Sequence, residues 1–286
     1  MKRLVIQSFR RHDVPPWIER CMASVRSWAE ARGYDYRFAD DSSFDLVGAD
    51  YLARAEGNLR TITNLTRLIL IRDALAAGYD EAVWMDADIF VFAPDQFELV
   101  SPQGYAFARE TWIDQWEGDV WRAIAGVNNS VALFGQDQPD LQFLIDAIFH
   151  IAGHRPLRPV RGNYQVGGDL LKGLWNSLAF SALDNVGMFS PDVIRALKAR
   201  TLPVLKAQAR YHGTEVHAAN LCGSRHYLRA ATPAQVTGAM DRLERSQGRV
   251  VNRWLAEGAL PASRFEGRTF FALRPGIPAP PYPVFE

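Results

Sequence analysis

Apolar positions in this chain fall into two patterns that alternate through its first half. One is short continuous runs; the other is spacings of three and four. Leu4-Val5-Ile6 is a compact apolar run and predicts a buried strand. After Pro15-Pro16, residues Trp17, Cys21, Met22, Val25 and Trp28 fall near one face of a helix that runs to Arg32, with Gly33 where a C′ residue belongs. Tyr34-Asp35-Tyr36-Arg37-Phe38 alternates aromatic and polar and predicts a second strand. A polar stretch over 40–60 reads as a loop with a short helix. Ile62, Leu65, Leu68, Ile69 and Leu75 then mark a helix over 61–77, closed by Gly78. Ala82-Val83-Trp84-Met85 is an apolar strand that stops at Asp86-Ala87-Asp88. Apolar character resumes from Ile89 to Phe92 and ends at Pro94.

Residues 105–108 and 131–134 predict two more strands, and 139–151 a helix with proline near its first turn. Shorter helices are expected over 169–175 and 191–198, and a long amphipathic helix over 233–256. The proline-rich stretch 274–286 should be extended. No repeat and no Gly/Ser linker interrupts the chain. The expected fold class is therefore α/β: a mixed sheet flanked by helices over 1–230, followed by a helical C-terminal extension over 231–286.

Composition narrows the function classes. With 48% hydrophobic and 22% charged residues, the 286-residue chain is ordinary globular material, not a disordered one. Lys plus Arg equals Asp plus Glu at 32 each, so the basic excess of a nucleic-acid binder is missing and no nucleic-acid partner is expected. Cys21 and Cys222 are too few for a metal cage or a disulfide framework and read as free thiols in a reducing compartment. The three-residue apolar run at the start is shorter than the ~7–15 residues of a secretory core. No window reaches the ~18 apolar residues of a membrane helix. A cytoplasmic location is expected, compatible with peripheral contact at the inner face of the membrane.

The chemistry concentrates at Asp86-Ala87-Asp88. Two carboxylates at a strand end are costly to bury without partners. In an extended segment residues i and i+2 point to one side, so the pair would converge outside the strand. Like charges at that range raise one pKa unless a cation neutralises them. A hard divalent ion, Mn²⁺ or Mg²⁺, meets that need and keeps positions open for phosphate oxygens. The competing reading is an aspartate pair that caps a turn.

Asp86-Ala87-Asp88 after a hydrophobic strand resembles the DXD motif of GT-A-type, metal-dependent glycosyltransferases, the galactosyl/mannosyl and capsular-polysaccharide families among them. The likeness extends back through Thr63-Asn64-Leu65-Thr66-Arg67 and Gly78-Tyr79, which is similar to a block in which a Ser-Asp-x-x-Arg helix precedes a glycine and the DXD strand. Arg67 matches the block's arginine; Asn64 stands where it has aspartate. The resemblance covers roughly the first 135 residues. It implies a GT-A-like fold, a nucleotide-sugar donor (UDP-linked), a divalent cation, and hexosyl transfer with retention to a glycan, lipid-linked or protein acceptor. It also implies a third, histidine ligand in Glu215-Val216-His217-Ala218-Ala219-Asn220, with His217 chosen over His212 and His226, and Arg225 behind it holding diphosphate. Asn129 and Asp169 would face the sugar as the catalytic pair; Asp169 is equally apt as a helix N-cap. Ligands of open α/β sheets bind beyond the C-terminal strand ends. Gln7, Ser8 and Phe9 are therefore placed to meet a base and ribose, with core packing the alternative for Phe9.

Two other functions remain open from sequence. A haloacid-dehalogenase-type phosphatase also carries Asp-x-Asp after a strand, with the first aspartate as nucleophile, but needs a downstream acidic pair that is not evident. A non-catalytic nucleotide-sugar-binding module is the other. Trp112, Trp116 and Trp121, between two expected strands, could form a carbohydrate-stacking platform or a buried helix face.

Overall fold

The computed structural model describes residues 1–117, 120–154, 157, 166–178, 181–222, 230–257 and 268–272. Its opening follows the apolar pattern. Strand β1 (Arg3–Ser8) leads through helix α1 (Pro16–Ala31) to β2 (Asp35–Ala39), and the two strands pair in parallel. Parallel neighbours need such a crossover. Ile18, Cys21, Val25 and Trp28 form the buried face of α1, and Gly33, at φ +71°, turns the chain out of it.

The polar stretch that follows holds more helix than its composition suggests. A 3-10 helix (Asp41–Val47), capped by Asp40 accepting from the Ser42 N–H, and α2 (Ala49–Ala55) precede α3 (Leu59–Ala76). Val47, Tyr51 and Ala55 sink into the core and hold this segment, so tertiary burial outweighs its weak periodicity. β3 (Glu81–Met85) returns beside β1 in parallel, and β4 (Ile89–Val91) leaves for a second sheet.

Residues 105–135 depart most from expectation. In place of two short strands they form a long antiparallel hairpin, β5 (Tyr105–Glu117) and β6 (Val120–Gly135). Trp112 and Trp121 lie buried on these strands, so they form neither a helix face nor an exposed platform; the Trp116 side chain lies outside the described residues. Cross-strand pairing accounts for the extension. Trp112 faces Ile124, and Asp114 faces Arg122, whose guanidinium grips it at 2.6 and 2.8 Å.

The chain continues through α4 (Pro139–His154), α5 (Gly168–Leu178), β7 (Ser181–Leu183), β8 (Val186–Met188), α6 (Pro191–Ala199), α7 (Leu202–His212), β9 (Ala218–Asn220), α8 (Pro233–Ser246), α9 (Arg249–Asn252) and β10 (Arg268–Ala272). The main sheet runs β2-β1-β3-β6-β5-β7, with β10 also on β6; a small sheet runs β4-β9-β8. The first is mixed: β1, β2 and β3 are parallel, and β6 opposes β3 and β5. The α/β class expected from sequence is the one observed.

The long helix expected over 233–256 breaks after α8, where Gln247 and Gly248 are left-handed. Gly248 is required there: a Cβ would stand 2.9 Å from the Val216 carbonyl oxygen. Val236, Met240 and Leu243 of α8 pack with Val193 and Leu197 of α6, and Arg20 of α1 donates to Asp241 and Glu244 at 2.6 Å each. Residues 273–286, which include the proline-rich tail, lie outside the described residues.

Candidate active site at the β3–β4 switch

The site forms where the chain changes sheets. β3 is buried from Ala82 to Met85 between β1 and β6. At its end the Asp86 N–H donates to the Ser130 carbonyl at 2.7 Å, and the Asp86 carbonyl accepts from the Ile89 N–H at 3.0 Å. The second bond closes a turn over 86–89 that lifts the chain into the small sheet. The extended geometry assumed from sequence is therefore replaced by a turn, in which side chains do not alternate. The two carboxylates take different partners. Asp86, partly exposed, accepts the Trp84 indole N–H at 2.7 Å; Asp88, 5% exposed, accepts the Asn220 amide N–H at 2.7 Å.

Arg67 joins the two acids electrostatically. Its guanidinium, buried on α3, lies 3.4 Å from Asp86 and 5.2 Å from the centre of the Trp84 ring, and is also stabilised by Asp88. It donates to the Thr63 carbonyl at 3.3 Å and to the Asn129 carbonyl. That second acceptor exists because β6 bulges. Phe107 pairs with Ala132 and the next residue, Ala108, with Asn128, which leaves Asn129, Ser130 and Val131 without β5 partners in the register. The bulge turns Asn129 toward α3, where its amide donates to Asn64 Oδ1 at 3.0 Å. Gly167 abuts the same asparagine so closely that a Cβ would sit 2.2 Å from Asn64 Nδ2. Asn64, Arg67, Asp86 and Asn129 thus meet at one corner, with the first turn of α5 beside them.

Burial pushes the Asp86 carboxyl above the usual carboxylate range, and Arg67 and the Trp84 indole oppose the rise. Burial pushes the Arg67 guanidinium down, and Asp86 and then Asp88 oppose that. Both acids thus act on the same buried guanidinium. Hard carboxylate oxygens at a partly open corner fit a Mg²⁺- or Mn²⁺-type ion, which takes one or two carboxylates and fills its shell with water and phosphate. Among the described residues no cluster of three or more His, Cys, Asp and Glu offers a complete protein shell. Asp86 and Asp88 are the residues that would hold such an ion.

The other sequence candidates divide. Gln7 is fully buried; it donates to the Asp86 carbonyl at 3.1 Å and accepts from the Tyr36 hydroxyl at 3.1 Å, which makes it a brace of the turn. Ser8 and Phe9, at the end of β1, are partly exposed, and Arg10 lies 5.1 Å over the Phe9 ring. Asp169 is in the first turn of α5, two residues past Gly167. His217 is not brought to the carboxylates. The β4–β9 register sets Asn220 opposite Ile89 and Ala218 opposite Val91, so His217 lies beside Phe92, whose N–H its carbonyl accepts. Phe92 is four residue steps from Asp88 along the chain, about 13 Å in extended geometry. Neither ring nitrogen of His217 has a hydrogen-bond partner, and Glu215 stands 3.6 Å away. His212 is buried against Thr111 and Asp184. Arg225 and His226 lie outside the described residues.

Asn220 is the residue sequence reasoning missed. Its Oδ1 accepts the Cys222 N–H at 2.7 Å, which orients Nδ2 toward Asp88. The only local trace is the asparagine's habit of bonding the backbone two residues on, and Cys222 is left-handed at φ +56°.

No protein-family model matches the chain, and no curated protein sequence matches it. The solved structures similar in chain path include the following three. A glycosyltransferase involved in glycosylation of the major capsid of PBCV-1 aligns at TM-score 0.45 and 11% identity over 84% of this chain and 99% of its own. Mouse xyloside xylosyltransferase 1, in its apo form, aligns at 0.40 and 11% over 78% and 98%. The glycosyltransferase GlyE of Streptococcus pneumoniae TIGR4 aligns at 0.39 and 14% over 92% of this chain and 66% of its own.

Proposed function

We propose that this chain is a glycosyltransferase that takes its sugar from a nucleotide diphosphate donor, UDP-linked, with a divalent cation held by Asp86 and Asp88. The observation that carries this reading is the strand-switch turn that sets the carboxylates of Asp86 and Asp88 at the end of β3, beside the Arg67 guanidinium and the Asn64–Asn129 pair. A divalent ion there would supply Lewis-acid stabilisation of the departing diphosphate. The chain's own residues do the rest. Arg67 neutralises part of the carboxylate charge and fixes the β6 bulge through the Asn129 carbonyl. Asn129 donates to Asn64, and the pair would offer its remaining amide groups to sugar hydroxyls. Asp169, in the first turn of α5, would orient a sugar hydroxyl, and Phe9, at the end of β1, would stack on the base. Hexosyl transfer with retention to a glycan, lipid-linked or protein acceptor completes the reading; positioning and charge stabilisation would supply its rate. No described helix is long and apolar enough to cross a membrane.

The test is calorimetric titration of UDP with and without Mn²⁺, followed by a screen of nucleotide-sugars for slow hydrolysis. Metal-dependent binding that is lost in Asp86→Asn and Asp88→Asn is expected. Equal nucleotide binding in Mn²⁺ and in chelator, unaltered by both variants, would overturn the assignment.

A further inference from the structure

One buried acid near this corner has no part in the scheme above. Glu110 on β5 is 3% exposed. Lys172 of α5 donates to its Oε1 at 2.9 Å, and its Oε2 is buried with no hydrogen-bond partner. A buried carboxylate oxygen left unpaired is destabilising, and sequences rarely keep one for packing alone. The surroundings are shaped for this pair. Glu110 stands opposite Gly126 on β6, and a Cβ at Gly126 would come within 3.1 Å of the Lys172 chain. Glycine there opens the lane by which Lys172 reaches the acid.

The pair also adjoins the proposed site on two sides. Along α5, Lys172 is one turn after Asp169, on the same helix face. Along the hairpin, Glu110 lies between Ala108, which pairs with Asn128, and Trp112. Asn128 contacts Met188, and Trp112 packs with Met188 and Cys222, two residues from the Asn220 that holds Asp88.

We infer that Glu110 and Lys172 form the subsite for the acceptor, and that the acceptor presents a neutral polyol there. Oε2 can only accept, so its partner must bring a hydrogen. A phosphate or carboxylate would meet buried negative charge, and an ammonium would meet Lys172. A sugar or glycerol hydroxyl satisfies both groups at once: it donates to Oε2, while a neighbouring hydroxyl accepts from the Lys172 ammonium. Lys172, partly exposed on a flexible stem, swings aside to admit it. This deepens the glycosyltransferase reading and rests on it.

The experiment measures binding, so it needs no knowledge of the true acceptor. Glycerol, xylose, glucose, galactose and lactose are titrated into wild type, Glu110→Gln and Lys172→Met by saturation-transfer NMR, with UDP and Mn²⁺ present. At least one polyol is expected to bind wild type in the millimolar range. Its affinity should fall about tenfold in Glu110→Gln, because a charge-assisted hydrogen bond is replaced by a neutral one. Lys172→Met should weaken the same polyol. Two results would each overturn the subsite: no polyol bound by wild type, or a polyol bound equally by all three proteins. The UDP titration on wild type reports separately on the donor reading.

Discussion

The Arg67–Asp86 contact allows the sharpest energetic test. At 3.4 Å, two unit charges attract by roughly 1 kcal/mol in a water-like dielectric and by roughly 5 kcal/mol at the effective dielectric of about 20 found in proteins. Arg67 is almost fully buried and the Asp86 side chain is 28% exposed, so the pair sits between those limits. The desolvation already imposed on both groups takes back part of the attraction, which leaves a coupling of about 2 kcal/mol. Each single change should cost more than the coupling. Arg67→Met leaves Asp86 and Asp88 without their guanidinium, and Asp86→Asn leaves a buried cation facing only Asp88; either should destabilise the fold by about 3–5 kcal/mol. The double variant removes both charges, and its cost should fall short of the sum of the single costs by about 2 kcal/mol. Urea denaturation of the four proteins in chelator, with m-values compared to check that the transition stays two-state, measures this directly. Single costs that add to within about 0.5 kcal/mol would refute the claim that the guanidinium compensates Asp86.

Gly167→Ala should displace the Asn64 amide, since its Cβ would lie 2.2 Å from Nδ2; metal-dependent nucleotide-sugar turnover is expected to fall several-fold while the thermal midpoint shifts little, and unchanged turnover would detach Asn64 from the site. His212 should give the fold an acid-sensitive component. Burial lowers its pKa to about 4, with the Arg109 charge adding to the effect, and the neutral ring donates from Nε2 to the Asp184 carbonyl at 2.7 Å while Nδ1 accepts from Thr111 at 3.1 Å. Between about pH 6.5 and 4 only the unfolded state takes up this proton, so stability falls as pH is lowered through that window, by about 3 kcal/mol in all. Denaturation midpoints of wild type and His212→Gln measured from pH 7 to 4 should converge toward acid, and parallel pH profiles would refute the assignment.

What could be read from sequence was what sequence-local forces decide. Residues 3–39 announce strand, helix and strand because each element buries a face whose period is visible within a few residues. Asp86-Ala87-Asp88 stood out because a charged interruption of an apolar run is local too. The β5–β6 hairpin was hidden because its stability lies in pairs such as Trp112 with Ile124 and Asp114 with Arg122, which reward extension only once the strands are already together. The same separation explains the site. Arg67 is 62 residues from the Asn129 carbonyl it fixes, and Asn220 is 132 residues from the Asp88 it holds. No spacing rule spans such distances, and the histidine expected near the carboxylates shows the consequence. His217 and Asn220 are three residues apart in sequence, and only the β4–β9 register decides which of them reaches the acid. That register follows from apolar positions, Phe90 and Val91 against Ala218 and Ala219, and not from any metal-binding pattern. A shift of the ladder by three residues would bring His217 to the place of Asn220; because strand side chains alternate, it would also turn the buried alanines of β9 over to the opposite face, which the packing of Phe90 and Phe92 against Ala219 opposes. Packing at a distance from the chemistry therefore selects which side chain meets Asp88.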